Sequence, residues 1–420
     1  MSTPPPAATA AMLALVALLP QLGAGVAEAV PPTCQGRPVT VEGAIGTEGD
    51  DVMLAPLNAW EGVEGRGGND TICLVDGPDQ GSRDPRFFAD AGPGDDSISF
   101  EGTYYASVVL GAGADRFVGN DTGTTVYTGA YDSSLQANRY FGQADTEADV
   151  VTTGGGRDTI YSGDTAGFVA NPDRLATGGS AVDTDTVFYA GRMTPEGELD
   201  NGTSRDLLFL VDAWGPGELA IDNVAGRAEV SGTEVLRWTG VGSFILQERP
   251  EALRFLGGAG ADALTVGDTE LPTPVTPMDV DVVTGGGRDR VSLAGVLAGR
   301  IALGGGRDHL DLGGCGRVHV RLDARLRCVR FGHRTQTTLS GVEGAYLRGR
   351  HVVAIGTPGP DQIEVYGRLA RVSGRAGRDE LAVERRDGII DGGPGRDRCR
   401  GGIQRHCERR GYPRRWSRRR

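Results

Sequence analysis

A nine-residue unit of the form Gly-Gly-x-Gly-x-Asp-x-apolar-x recurs along this chain and constrains its fold more than any other feature. A full copy is Gly257-Gly-Ala-Gly-Ala-Asp262-Ala-Leu264-Thr265. Glycine takes positive φ without steric cost, so two or three glycines let the backbone make a tight turn. The apolar residue two places after the aspartate is expected to start a strand and to point into a core. Copies or looser versions end at Asp51, Asp70, Asp96, Asp115, Asp158, Asp262, Asp289, Asp308, Asp361, Asp379 and Asp397.

The spacing of these aspartates predicts which turns lie next to each other. Two nonapeptides make 18 residues, and a gap of 19 needs one extra residue in a turn. Turns at this spacing should stack on one edge of a coiled chain, with strands about 4.7–4.9 Å apart. Between the last stacked turns, residues 365–373 contain no Gly-x-Asp turn, which predicts a single metal-bearing edge. The expected neighbours are Asp51/Asp70, Asp96/Asp115, Asp289/Asp308, Asp361/Asp379 and Asp379/Asp397.

The repeated unit resembles the calcium-binding nonapeptide repeats of the hemolysin-type (repeats-in-toxin) family, which includes secreted bacterial proteins. The resemblance covers about half of the chain directly. It implies an all-β fold, a right-handed parallel β-roll or β-solenoid with calcium-binding Gly-Asp turns, here interrupted by a less regular β segment. It also implies calcium as the bound cofactor, because calcium takes six to eight oxygen ligands from carboxylates and carbonyls.

The resemblance implies that the eleven aspartates are metal ligands, and neighbouring oxygens strengthen some of these turns. Asp50, Asn69 and Asp95 add an oxygen beside a turn aspartate, so Asp51/Asp70 and Asp96/Asp115 are expected to be the best sites. A nearby cation weakens calcium binding. Turns with an arginine directly before the aspartate therefore either bind calcium or fold without metal, with the arginine paired to a neighbouring aspartate. These turns end at Asp158, Asp289, Asp308, Asp379 and Asp397.

The order of motifs predicts the domain organisation. The apolar run 10–19 and the small residues Ala27-Glu-Ala29 predict a signal peptide cleaved near Ala29, and hence a secreted, extracellular protein. Residues 164–256 lack the glycine turns and either continue the solenoid as a calcium-poor part or form an inserted β segment. The predicted parts are a signal peptide (1–29), a first calcium-repeat block (30–163), the calcium-poor segment (164–256), a second calcium-repeat block (257–407) and a basic disordered tail (408–420).

Two excursions off the coils are expected within the first block, at residues 80–90 and 122–149. In the second block, residues 318–328 alternate apolar and polar side chains, which predicts a half-exposed strand system with a basic outer face.

The cysteines predict disulfides rather than a zinc site. Six cysteines in a secreted chain allow fifteen pairings. The short separations favour Cys315/Cys328 and Cys399/Cys407, which leaves Cys34/Cys73 for the third bond. No Cys-x-x-Cys or Cys/His cluster with zinc spacing is present in the sequence.

Charge is distributed unevenly and predicts a dependence on cations. The net charge is −13, and all 43 basic residues are arginines. Residues 366–420 hold 17 arginines and 7 acidic residues, so the preceding chain carries −23. An acidic body that stacks carboxylates on one edge repels itself until a cation neutralises it.

The expected function is a structural or adhesive extracellular module whose folding is coupled to calcium outside the cell. No His-Glu-x-x-His or Gly-x-Ser-x-Gly motif is present, and all five histidines follow residue 308. Of these, His309 and His319 are expected to be solvated. One alternative is a polysaccharide-acting β-solenoid enzyme, such as a lyase, epimerase or glycosidase. A second is a module that binds cell-envelope glycans through the arginine-rich tail. Neither nucleic acid as a partner nor a transmembrane segment is expected.

Overall fold

The computed structural model describes residues 31–57, 62–77, 87–129, 146–163, 169–179, 183–202, 206–211, 217–267, 276–330 and 332–408. Within these residues the protein is all-β, contains no helix, and pairs most of its strands in parallel. The predicted all-β class is therefore confirmed. The predicted signal peptide and nearly all of the basic tail lie outside the described residues.

Sheet 1 holds eight parallel strands from the first half of the chain. Each strand pairs with the strand of the same sheet that precedes it in sequence. Its strands are Val41–Glu42, Val52–Leu57, Thr71–Asp76, Ser97–Phe100, Arg116–Val118, Val150–Thr152, Arg174–Ala176 and Glu198–Asp200.

Sheet 2 contains a main stack of parallel strands that runs the length of the described chain. From residue 52 to residue 211, the strands of this stack alternate in sequence with those of sheet 1. The main stack holds Val63–Glu64, Phe87–Asp90, Ala106–Val109, Thr124–Tyr127, Thr159–Ser162, Thr186–Ala190, Asp206–Val211, Val241–Leu246, Ala263–Val266, Arg290–Ala294, His309–Arg321, Gly344–Ile355, Gln362–Tyr366, Glu380–Val383 and Arg398–Arg400.

The second half of the chain alternates between the main stack and two shorter parallel stacks. One of them holds Glu218–Asp222, Ala252–Leu256, Met278–Val283, Leu297–Ala302 and His333–Ser340. The other continues from the end of Gly344–Ile355 through Leu369–Ser373, Ile389–Asp391 and Ile403–Arg405.

Antiparallel strands and small sheets complete the structure. Arg325–Arg330 lies antiparallel between His309–Arg321 and His333–Ser340 and joins the shorter stacks to the main one. Arg227–Val230 and Thr233–Arg237 pair antiparallel beside Glu218–Asp222. The two-stranded sheets are Thr33–Cys34 with Arg37–Pro38, Ala170–Asn171 with Arg192–Met193, and Gly286–Gly287 with Gly305–Gly306.

The core consists of columns of apolar side chains between the sheets. Ile72, Ile98 and Phe117 occupy equivalent register positions on neighbouring strands and are at most 1% exposed. Each lies two places after a turn aspartate, and the same position is buried after all eleven predicted aspartates. The expectation that this residue points into a core is confirmed. The packed columns explain why the unit demands an apolar residue there, since it supplies the hydrophobic contact between successive strands.

The glycine-poor residues 164–256 contribute strands to both sheets. Thr186–Ala190 and Asp206–Val211 continue the main stack from Thr159–Ser162 to Val241–Leu246. The two predicted excursions are shorter than expected, because Phe87–Asp90 and Thr124–Tyr127 are strands of the main stack. Their apolar residues Ala89 and Val126 lie in the core.

The three disulfides join Cys34 to Cys73, Cys315 to Cys328 and Cys399 to Cys407. The predicted pairing is confirmed. The described residues contain no helix that is long and apolar enough to span a membrane.

Candidate metal centre

Turn aspartates from successive strands of sheet 1 form a continuous ladder of hydrogen bonds. The backbone N–H of each aspartate donates to Oδ1 of the aspartate on the next strand, over N···O distances of 2.7 to 3.1 Å. All six side chains are buried. The members of this first ladder, in order, are Asp51, Asp70, Asp96, Asp115, Asp149 and Asp173.

A second ladder precedes the strands of the main stack of sheet 2 and repeats the same bond in three runs. At the start of the second run, Oδ1 of Asp262 accepts a hydrogen bond from Nδ2 of Asn223 over 2.8 Å. Glu343 ends the second run by accepting the N–H of Asp308 over 3.0 Å. The runs are Asp158, Asp185, Asp206; Asp262, Asp289, Asp308; and Asp361, Asp379, Asp397.

The structure brings all five predicted neighbouring pairs onto adjacent rungs. It also makes neighbours of Asp70 and Asp96, which are 26 residues apart. The single metal-bearing edge is wrong for the chain as a whole. Up to Asp173, ladder aspartates precede strands of sheet 1; from Asp158 onwards, ladder acids precede strands of sheet 2. Between Asp158 and Asp173 the chain therefore contributes to both ladders.

Five ladder acids were missed by the glycine motif: Asp149, Asp173, Asp185, Asp206 and Glu343. Each lies two residues before a buried apolar residue, as in Asp149-Val-Val151 and Asp185-Thr-Val187. This acid-x-apolar signal was available in the sequence. It is weak without the glycines, since the same three residues begin many ordinary strands.

Two backbone carbonyls of each turn point along the ladder towards the next turn. A Cβ built on Gly92 would overlap the carbonyl oxygen of Arg66, and one built on Gly94 would overlap that of Gly68. The same overlap recurs at Gly393, above the carbonyl of Arg375. The glycines are therefore required by close approach of the backbone, and they leave a column of carbonyl oxygens beside the carboxylates.

The second carboxylate oxygen, Oδ2, divides the turns into two kinds. In three turns a backbone N–H four residues earlier donates to it over 2.6 to 2.7 Å. These closed turns end at Asp51, Asp262 and Asp361. In the open turns Oδ2 is buried and has no hydrogen-bond partner within the described residues. Open turns end at Asp70, Asp96, Asp289, Asp308, Asp379 and Asp397.

Backbone conformation four residues before the aspartate decides which kind of turn forms. In every open turn that residue has positive φ, as at Gly92 (96°) and even at the non-glycine residues Arg66 (76°) and Arg375 (75°). In the closed turns, Thr47 and Thr357 are absent from the left-handed region. A β-branched residue is strongly disfavoured at positive φ, so its N–H stays directed at the carboxylate.

Burial raises the pKa of several ladder carboxyl groups. It raises the pKa of Asp70 to about 6 and that of Asp96 to about 7, although the N–H bond from the preceding rung opposes the shift in both. Neighbouring carboxylates raise these pKa values further. The pKa of Asp158 is also raised to about 7 by burial, and that of Asp379 is raised for the same reason. A charged ladder is therefore unfavourable without a counter-charge.

Asp50, Asn69 and Asp95 form a shorter exposed ladder beside the first one. The Oδ1 atoms of Asp50 and Asn69 accept the N–H of the equivalent residue on the next turn, over 2.8 and 3.0 Å. Oδ1 of Asp95 accepts the N–H of Ala114 over 2.9 Å. One oxygen of each side chain is therefore engaged by the backbone.

The arginines that precede five of the predicted aspartates are exposed. Within the described residues none of them forms an ion pair with a ladder aspartate, and the one ion pair found joins Arg396 to Glu408 over 3.9 Å. In the part of the chain that the structure describes, these arginines therefore do not pair with the turn aspartates.

The open turns offer carboxylate and carbonyl oxygens, which are suitable ligands for a hard divalent cation. A Cβ built on Gly374 would meet both Oδ2 of Asp379 and the carbonyl oxygen of Gly392, so carboxylate and carbonyl oxygens border the same space. Oxygens of these two kinds are the ligands that calcium prefers. The described residues contain no group of three or more His, Cys, Asp or Glu side chains placed to hold a metal. Backbone carbonyls would therefore have to supply most of the ligands.

The closed turns fit less well, because both oxygens of Asp262 already accept N–H groups. Asp51, expected to belong to one of the best sites, also has its Oδ2 occupied, by the N–H and hydroxyl groups of Thr47. No protein-family model matches this chain, and no curated protein sequence is similar to it.

Proposed function

We propose that this chain is a secreted, right-handed parallel β-solenoid of the hemolysin-type repeat family that binds calcium in its open turns. Folding is coupled to calcium outside the cell and yields a rigid structural or adhesive module. Asp70, Asp96, Asp289, Asp308, Asp379 and Asp397 are the carboxylates that would hold the ions. Support for the family comes from the repeated unit itself, and support for the solenoid comes from the alternation of strands between stacked parallel sheets.

One observation carries the calcium proposal: a row of buried Oδ2 atoms without hydrogen-bond partners within the described residues. A buried, charged oxygen that lacks a partner costs several kcal/mol, and here the defect recurs at successive rungs. When bound, calcium supplies the missing positive charge. The protein positions the carboxylates through the ladder N–H groups and the carbonyls through the glycine turns.

Calcium concentration outside cells makes the coupling effective. Extracellular calcium modules bind with dissociation constants of about 10⁻⁴–10⁻³ M. A module of this affinity would remain without metal in a low-calcium compartment and fill on export. Binding to the folded state alone stabilises that state by mass action.

The test is circular dichroism of the disulfide-intact chain, titrated with calcium from a chelated start. We expect the β signal to rise between sub-millimolar and millimolar calcium, and magnesium not to reproduce the rise. Asp96→Asn should raise the calcium midpoint, because the amide oxygen still accepts the N–H of Asp70 but the carboxylate charge is lost. Asp281→Asn, at an exposed strand position, is the matched control and should leave the midpoint unchanged. A chain fully folded in chelator and indifferent to calcium would refute the proposal.

A polysaccharide-acting enzyme is the second candidate, favoured by a cluster on the outer face of the main stack. Tyr346 and Tyr366 lie with ring centroids 4.8 Å apart, and Arg348 donates to the Tyr346 hydroxyl over 2.9 and 3.1 Å. On the neighbouring strand, Nε2 of His309 lies 2.9 Å from Asp311, so the expectation that His309 is simply solvated is wrong. The pKa of Asp311 is lowered, since this contact and a nearby arginine outweigh its burial.

The enzyme candidate predicts unsaturated or epimerised products from uronate polymers. Ultraviolet absorbance would detect elimination products, and proton NMR would detect epimerised sugars. Tyr346→Phe should abolish the activity without loss of folding. Absence of any product from the calcium-loaded wild-type protein would refute this candidate.

A further inference from the structure

A strongly basic face lies on the sheet formed around Arg325–Arg330. This strand pairs antiparallel with His309–Arg321 on one side and His333–Ser340 on the other, and the sheet continues through Gly344–Ile355 to Leu369–Ser373. The predicted alternation is confirmed, with apolar side chains inward and basic ones outward. The basic face consists of the exposed residues Arg317, His319, Arg325, Arg327, Arg334 and Arg371.

The charges of this face are not balanced by acidic neighbours. Within the described residues, none of the six side chains lies within 4.0 Å of a carboxylate. The nearby Asp323 is engaged instead by Arg321 and Arg375, at 3.3 and 2.6 Å. Several other exposed arginines on strands, by contrast, lie within 4.0 Å of a carboxylate.

Exposed arginines elsewhere on the molecule lie close to acidic side chains. Arg254 lies 2.7 Å from Glu218, and Arg227 lies 3.5 Å from Glu229. The basic face is thus a local excess of positive charge on a protein whose net charge is −13.

Like charges also lie directly opposite each other across the strands of this face, because Arg321 is paired in register with Arg325. On the other side of the same strand, the opposite residues are neutral: Gln336 and Thr338. Like charges directly opposite destabilise a sheet, so the arrangement costs stability that neutral residues would not. A bound polyanion would remove that cost.

The face is rigid before any ligand arrives. The Cys315–Cys328 disulfide ties the two central strands together. Val318, Val320 and Leu326 are at most 3% exposed and anchor the same strands from beneath. Outward residues recur about every 6.6–6.8 Å along a strand, and strands lie about 4.7–4.9 Å apart. The backbone positions from which the arginines project are therefore set before binding, and preorganisation of this kind lowers the entropic cost of binding.

We propose that the basic face binds an acidic polysaccharide, whose carboxylate or sulfate groups pair with the arginine array. Guanidinium groups bind such oxyanions through paired N–H donors. Nucleic acid fits less well. A two-stranded ribbon can enter the major groove, but here both outer strands are bonded to further strands. The inference goes beyond calcium binding and does not depend on it.

The test compares two double variants of the full chain with the same loss of charge. Arg325→Gln with Arg327→Gln removes two members of the basic face. Arg227→Gln with Arg254→Gln removes two ion-paired arginines elsewhere. Fluorescence anisotropy in calcium buffer would measure binding of labelled short oligogalacturonate, which carries carboxylates, and of a labelled heparin oligosaccharide, which carries sulfates. Neutral dextran and duplex DNA complete the set. Circular dichroism confirms folding of each variant.

We expect wild-type protein to bind at least one acidic probe more tightly than dextran or DNA, with affinity that falls as salt rises. The first double variant should lose about tenfold in affinity and the second about twofold or less. The first variant should also melt no lower than wild type, since it relieves repulsion.

Equal losses in the two variants would overturn the proposal, because the arginine-rich tail is intact in both. Absence of binding to both acidic probes, tighter binding of DNA than of either, or a lower melting temperature for the face variant would also overturn it. None of these outcomes bears on the calcium titration.

Discussion

Asparagine should have opposite effects on stability in a closed and an open turn of the metal-free protein. In the closed turn, Asp262 accepts N–H groups at both oxygens, from Gly258 over 2.7 Å and from Asn223 over 2.8 Å. The Asn223 amide is held in that orientation because its oxygen accepts the indole N–H of Trp238 over 3.0 Å. Asp262→Asn therefore points an NH₂ group at one of these donors.

The two magnitudes follow from the hydrogen bonds. Leaving a buried donor without its acceptor costs about 1–3 kcal/mol of folding stability. Removing the buried charge of Asp262 offsets part of this loss. We expect Asp262→Asn to lose about 1–2 kcal/mol. In the open turn, Asp379→Asn keeps an oxygen for the N–H of Asp361 and places NH₂ near the carbonyl of Gly392. We expect this variant to gain about 0.5–1.5 kcal/mol.

The assay is urea unfolding in chelator at pH 8 with disulfides intact. An osmolyte such as trimethylamine N-oxide would populate the folded state where the metal-free chain is too unstable. Asp281→Asn is the control and should stay within about 0.5 kcal/mol of wild type. The gain from Asp379→Asn should shrink as the pH falls towards the raised pKa of Asp379, since the wild-type carboxyl then takes up a proton. Shifts of the same sign in the two turns would refute the division into open and closed turns.

Four further predictions concern pH and the turn backbone. Stability of the metal-free protein, measured by urea unfolding, should fall as pH rises from about 5 to 8. The folded pKa values of Asp96 and Asp158 are about 7 and the ordinary value is 3.8, so the folded state binds more protons over this range. Calcium affinity, measured by titration calorimetry, should rise over the same range. Arg66→Gly should stabilise by about 0.5–1 kcal/mol in the same unfolding assay, because relief of positive φ exceeds the added chain entropy. Gly94→Ala should destabilise by about 3 kcal/mol, since its Cβ would overlap a carbonyl, whereas Gly232→Ala has open space and should lose about 1–2 kcal/mol.

The repeating unit was sufficient to predict the order of turn, aspartate and strand wherever the unit is present. A glycine turn, an aspartate and an apolar residue two places later each have one physical role, and the buried residues Ile98 and Leu381 occupy the predicted place. The disulfides were predictable because short separations restrict the pairing. Local rules of this kind depend only on neighbouring residues.

The edge on which each turn lies could not be predicted in the same way. Asp115 and Asp158 both carry the motif, yet they precede different sheets. Between them lies a strand, Thr124–Tyr127, in which Thr124 rather than an aspartate occupies the rung position and donates its N–H to Oδ1 of Asp158. Loop length gives little guidance because closing a longer loop costs only slightly more entropy. Assigning the edge requires knowing which strands pair.

The distinction between open and closed turns was present in the sequence but needed the structure to give it meaning. Threonine at positions 47 and 357 disfavours positive φ, which keeps the turn closed. Gly258 has no such restriction and its turn is nevertheless closed. At that rung Oδ1 of the aspartate is held by Asn223, which is 39 residues away in sequence, so the local pattern alone does not determine the conformation.

The need for a counter-charge follows from the ladder geometry itself. Carboxylates on adjacent strands lie about 4.7–4.9 Å apart, so each charged neighbour adds about 3–4 kcal/mol of repulsion at an effective dielectric constant of 20. One rung N–H bond returns about 1.5–3 kcal/mol, which leaves the desolvation of each ion without compensation. Protons can neutralise the ladder only below the raised pKa values of about 6 to 7 at Asp70 and Asp96. Above that range a cation must do so, and the proposed calcium would take its oxygen ligands from the carbonyl column beside the open turns. Under the proposed function, proton and calcium are alternative means of neutralising the ladder, and the pH of the surroundings would decide between them.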